Sequence, residues 1–106
     1  MIYRLQDNRE QHTADGSTVL TVAANDRYFI DTTAAAQTAT LPASPQVGDT
    51  IRFLDISGTF DTNNLTVARN GKKINRATSD LVVATENAGF ALVFTGDTNG
   101  WLIQDK

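Results

Sequence analysis

Apolar and polar residues alternate in short runs along most of this chain. In the clearest run, IRFLDI, the residues Ile51 and Phe53 alternate with Arg52 and Leu54. A period of two places successive side chains on opposite faces of a β-strand. The same pattern predicts strands at VLTV (19–22), RYFID (27–31), QTATL (37–41), LTVA (65–68) and WLIQD (101–105). It also predicts two strands within SDLVVATENAGFALVFTG (79–96), around a turn at residues 86–89.

Turn-forming residues separate these runs every eight to twelve positions, as in a sandwich or barrel of short strands. The strongest turn signal is Asn70-Gly71, since a type I′ hairpin needs positive φ at both positions. The sequence NLTVARNGKKINR (64–76) is therefore predicted to form a strand, a tight turn and a second strand.

The first eighteen residues are polar and aperiodic apart from IYRL, so residues 1–18 are predicted to be an N-terminal arm and residues 19–106 the β-domain. At 106 residues the chain is expected to hold a single domain. The predicted fold is all-β, a small antiparallel β-sandwich or barrel-like domain.

Composition supports this class and restricts the function. The chain has ten Asp and only two Glu, and Asp favours turns whereas Glu favours helices. A net charge of −3 argues against a nucleic-acid binder. We find neither a secretory signal nor an apolar stretch long enough to span a bilayer, so we expect no membrane partner and no secretion.

No residue pattern indicates catalysis, a cofactor or a metal site, and the protein is predicted not to be an enzyme. The chain has no cysteine, and its single histidine, His12, falls in the predicted arm. Asp15, Asp49, Asp61 and Asp97 stand beside Gly, Thr or Asn and read as turn residues. Trp101 and Tyr28 could stack on a sugar, which keeps a carbohydrate- or receptor-binding module as one alternative, although a lone Trp in an alternating strand usually belongs to the core.

Phrases along three-quarters of the chain resemble a module found in virion structural proteins of tailed bacteriophages. They are TATLPASPQVGDTIRFLDISGTF (38–60), NNLTVARNGKKI (63–74) and ALVFTGDTNGWLI (91–103). The resemblance implies a small β-unit that commonly assembles as a homotrimer. Such modules serve in tail fibres and appendages, or as capsid decoration and cement proteins.

From this resemblance we expect a capsid cement protein on the virion surface, which binds the major capsid protein and stabilises the head. A tail-fibre or neck-appendage subunit that binds another virion protein is the alternative. Four cations around the Asn-Gly turn and the apolar start of the arm are the candidate partner-binding residues. They are Ile2, Tyr3, Arg4, Leu5, Arg69, Lys72, Lys73 and Arg76.

Overall fold

The structure, a computed structural model, describes residues 8–104, and within them the chain forms nine β-strands and no helix. The prediction of an all-β fold is confirmed. Because this range contains no helix, it contains none that could cross a membrane. The strands are β1 (Asn8–Thr13), β2 (Leu20–Thr21), β3 (Asp26–Asp31), β4 (Gln37–Thr40), β5 (Thr50–Asp55), β6 (Leu65–Ala68), β7 (Leu81–Val83), β8 (Gly89–Phe94) and β9 (Trp101–Gln104).

The strands form two mixed sheets, a five-stranded sheet in the order β1-β3-β5-β8-β9 and a four-stranded sheet in the order β2-β4-β6-β7. Through β6 the chain passes alternately from one sheet to the other, so it winds in three coils: β1–β2, β3–β4 and β5–β6. Each strand of a coil pairs in parallel with its counterpart in the next coil.

The antiparallel pairing predicted for the whole domain is therefore wrong in its first two-thirds. Only the last three pairings, β6–β7, β5–β8 and β8–β9, are antiparallel. The reason is that short strands separated by turns fit two arrangements. A turn can reverse the strand within its own sheet, or it can carry the chain across to the opposite sheet.

The core lies between the sheets and follows the predicted alternation. In β5, Ile51 and Phe53 are buried, whereas Arg52 and Leu54 are exposed. Phe53 packs between Tyr28 of β3 and the ring of a β8 phenylalanine. The loop at residues 59–64 buries Phe60 completely.

The predicted arm is in part a strand. Asn8–Thr13 forms β1, which pairs in parallel along its whole length with β3. Its polar sequence fits an edge strand, because only one of its two sides meets another strand. The seven residues before Asn8 lie outside the described range, so the division at residue 18 stays a prediction.

Candidate interaction site

The Asn-Gly turn has the predicted backbone. The φ angles of Asn70 and Gly71 are both positive, at 49° and 93°. The N–H of Lys72 donates to the carbonyl of Arg69 at 3.3 Å and closes the turn. The first half of the predicted hairpin, β6, is also present.

The prediction that residues 72–76 form the second strand of that hairpin is wrong. Residues 72–76 do not return along β6, whose antiparallel partner is β7. They bond instead to the start of β9: the N–H of Trp101 donates to the carbonyl of Lys73 at 2.8 Å, and the N–H of Asn75 donates to the carbonyl of Trp101 at 2.7 Å. Ile74 is buried at this contact. The segment therefore closes the end of the sandwich beside Trp101.

A glycine makes this close approach possible. A Cβ on Gly100 would lie 2.1 Å from the carbonyl oxygen of Lys73, and Gly100 has a φ of +76°. Both the conformation and the space exclude a side chain. Gly100 thus fixes the basic segment (residues 69–76) against the β8–β9 turn.

The structure brings the four predicted cations together along this segment. The Arg69 guanidinium donates to the carbonyl of Lys72 at 3.1 Å. The Lys72 ammonium pairs with Asp97 at 2.9 Å, and that of Lys73 reaches the carbonyl of Thr98 at 3.4 Å. Arg76 is exposed.

Two of the four cations thus bond to the β8–β9 turn, Lys72 to the Asp97 side chain and Lys73 to the Thr98 carbonyl. Since Asp97 lies beside Lys72, the segment offers less net positive charge to a partner than the sequence suggested. Partner binding by the basic segment stays a prediction. The other predicted partner-binding residues, Ile2, Tyr3, Arg4 and Leu5, lie outside the described residues.

The two aromatic residues considered for sugar stacking are buried. Trp101 has no exposed surface, and Tyr28 is 3% exposed. The Tyr28 hydroxyl accepts from the N–H of Ala23 at 2.7 Å, and burial raises its pKa. The hypothesis that these side chains bind a sugar is therefore wrong. The Trp101 Nε1 atom is buried without a hydrogen-bond acceptor.

Two of the acidic residues, Asp55 and Asp15, accept hydrogen bonds from nearby loop residues. Asp55, 4% exposed, accepts hydrogen bonds from the N–H groups of Phe60, Thr59 and Asn87 at 3.0 to 3.1 Å. Asp15 accepts from the backbone and the hydroxyl of Thr18, which hold its pKa well below the usual range. Asp15 thus has the turn role expected from sequence.

Residues 8–104 contain no group of three His, Cys, Asp or Glu side chains able to hold a metal. His12 contacts the buried side chain of Gln37, with Nε2 and Oε1 2.8 Å apart. The absence of enzymatic activity stays a prediction.

A feature that the sequence did not indicate is an apolar groove of about 280 Å³ beside β7. It runs between β7 and the facing strands β8 and β9. Val82, one of its lining residues, is 56% exposed. The groove is lined by Leu81, Val82, Val83, Ala84, Thr85, Ala88, Gly89, Phe90 and Ile103.

Comparison with known proteins gives a family match. A family model described as bacteriophage T4 gp9/10-like protein, N-terminal, matches residues 6–99. A search of curated proteins found no match for the chain.

Proposed function

The chain belongs to the bacteriophage T4 gp9/10-like family, and from that premise we propose that it is a non-enzymatic building block of the phage tail apparatus. Membership of this family makes it a structural protein of the virion. The match to residues 6–99 carries the proposal, because it spans nearly the whole chain.

The family match supports a virion structural protein of tail-fibre type, and for that reason we put the tail role first in this proposal. This reverses the order of the two roles expected from sequence, in which a capsid cement protein came first. The cement role remains the outcome against which the proposal is tested.

The mechanism is passive attachment through surfaces. The protein contacts a second virion protein through the basic segment, whose cations suit an acidic surface. We also propose that copies of the chain associate with one another as a homotrimer. Repeated weak contacts from one assembly then add up to firm attachment, since each contact after the first is effectively intramolecular.

Copy number per virion tests the location. The chain is quantified by mass spectrometry in purified virions against the major capsid protein. A tail subunit is expected at a few to some tens of copies. Hundreds of copies, in a fixed ratio to the capsid protein, would place it on the head and overturn the tail proposal. Its absence from virions would overturn a structural role altogether.

Incorporation of a charge variant tests the basic segment. Lys73→Gln with Arg76→Gln removes two positive charges that make few side-chain bonds within the chain. A phage lacking the wild-type gene is complemented with this variant, and its copies per virion are counted. We expect at least a tenfold loss of incorporation.

The matched control is Ala34→Glu with Thr62→Glu, which makes the same change in net charge on exposed loops that precede β4 and β6, at the end of these strands opposite the basic segment. It should be incorporated at the wild-type level. Equal incorporation of both variants would mean that the basic segment does not dock.

A further inference from the structure

One sheet has one strand more than the other, and the extra strand is at the end where the groove lies. The coils place β1 over β2, β3 over β4 and β5 over β6, and the chain then adds β7 to one sheet and β8 to the other. β9 follows in the five-stranded sheet without a counterpart in the four-stranded sheet. The groove is the space opposite β9, beside the free edge of β7.

Side chains that are incompletely buried lie at this same groove. Four apolar side chains pack against the core but are only partly buried: Leu81, Val83, Ala88 and Ile103. All four line the groove. A fifth strand on the edge of β7 would cover them and bond to the free side of the β7 backbone. Because Ile74 closes the other end of this gap at Trp101, only the Ile103 end is open.

The sequence of the N-terminal segment suits this position. In MIYRL the side chains of Met1, Tyr3 and Leu5 fall on one face of an extended strand, and all three are apolar. Arg4 falls on the other face. The turn that ends the groove carries an exposed carboxylate, Glu86, as a nearby partner for that arginine.

Leu5 cannot reach the groove of its own chain. β1 is at the opposite edge of the five-stranded sheet, four strand spacings from β9. With about 4.8 Å between strands and about 10 Å between sheets, the open position is roughly 20 Å from Asn8. Leu5 and Asn8 are three residues apart, and three extended residues span at most about 11 Å.

We propose that residues 1–5 of one copy bind as a fifth strand in the groove of a second copy, with Tyr3 and Leu5 over Ile103 and Ala88. This is β-strand addition between identical chains. It would supply the missing strand of the sandwich and join the subunits through a buried element. It applies equally to a tail or a capsid location.

Disulfide trapping between two single-cysteine variants tests the proposal, and the natural chain contributes no cysteine of its own. One variant carries Tyr3→Cys and the other Ile103→Cys, at the groove position that the proposal places under Tyr3. The two are mixed, allowed to exchange and oxidised mildly. We expect a mixed disulfide dimer as the major product on non-reducing gels. The matched control pairs Tyr3→Cys with Thr21→Cys, which lies exposed on β2 at the far edge of the four-stranded sheet. It should cross-link at least tenfold less.

A second measurement does not depend on cross-linking. Deletion of residues 1–5 should convert the assembly to monomers in light scattering, because the added strand is lost. Gln11→Ala, at an exposed position of β1 outside this segment, should stay assembled. Equal cross-linking of both cysteine pairs, or an unchanged mass after the deletion, would overturn the proposal. In the second case the groove would serve a different protein of the virion.

Discussion

At the scale of single residues, Asp55 is the buried carboxylate that joins two loops to the core. Its oxygens accept three backbone hydrogen bonds, from residues 59, 60 and 87. Asp55→Asn places an amide N–H₂ where these donors need an acceptor. We expect the free energy of unfolding to fall by about 2 kcal/mol, as measured by urea denaturation at pH 7. The control, Asp61→Asn on an exposed loop, should change it by less than about 0.5 kcal/mol.

The same carboxylate predicts a pH dependence. Burial alone would raise the pKa of Asp55, but the backbone donors outweigh it and the pKa is lowered. A lowered pKa in the folded state means that the carboxylate stabilises the fold above the ordinary value of about 3.9. This stabilisation is lost as the pH falls through the lowered pKa. The free energy of unfolding should therefore decline below about pH 4, and less steeply in Asp55→Asn than in the wild type. Parallel curves for the two proteins would contradict this role.

Gly100 and Gly71 separate two effects of a side chain on the backbone. Both have positive φ, but only Gly100 faces a neighbouring carbonyl, and Gly71 has open space. Gly71→Ala should cost about 1 to 2 kcal/mol from the left-handed conformation alone. Gly100→Ala should cost more than about 3 kcal/mol, because the segment at Lys73 must also move away. Thermal unfolding of the two variants gives the comparison, and equal costs would show that the close contact is relaxed in solution.

At the scale of elements, one hydrogen bond connects the edge strand β1 to the opposite sheet. The Gln37 amide donates to two backbone carbonyls, so its oxygen is the acceptor and His12 Nε2 is the donor. His12→Ala leaves this buried oxygen without a donor. We expect a loss of about 1 to 3 kcal/mol in the free energy of unfolding. Gln11→Ala on the exposed side of the same strand should have almost no effect. Similar losses in both variants would indicate that β1 contributes only as a strand.

The elements also show how far the sequence could predict this fold. β5 was predictable because its alternation of buried and exposed side chains is local. The turn at Asn70-Gly71 was predictable because few residues adopt its backbone. The path of residues 72–76 was not, since the hydrogen bonds that hold them come from β9, far along the chain. Parallel pairing was missed for the same reason, because each partner strand lies one coil away.

At the scale of the whole molecule, nearly every strand pairs with a strand that is distant in sequence. Asn8 pairs with Asp26, and Thr50 pairs with Val93. Such topologies fold slowly, because long loops must close before the contacts form. We expect refolding after urea dilution on a timescale of milliseconds to seconds, followed by the fluorescence of the buried Trp101. Relaxation within microseconds would contradict this topology.

The candidate site also depends on the arrangement of the whole molecule, so only part of it could be predicted from the sequence. The four cations of the basic segment could be identified directly from the sequence. The groove was not visible, because it results from the unequal lengths of two sheets. Leu81, Val83 and Ile103 each look like an ordinary core residue. Only their arrangement around an unfilled strand position distinguishes them.

The change from parallel coils to antiparallel strands at β7 has a consequence for growth of the fold. Parallel coils can be repeated without limit, since each one presents the next with the same edge. Reversal of the chain at β7 ends that repetition, so the number of coils before it sets the length of the molecule. Insertion of one further coil between β4 and β5 would lengthen the body by about 4.8 Å and leave both ends unchanged.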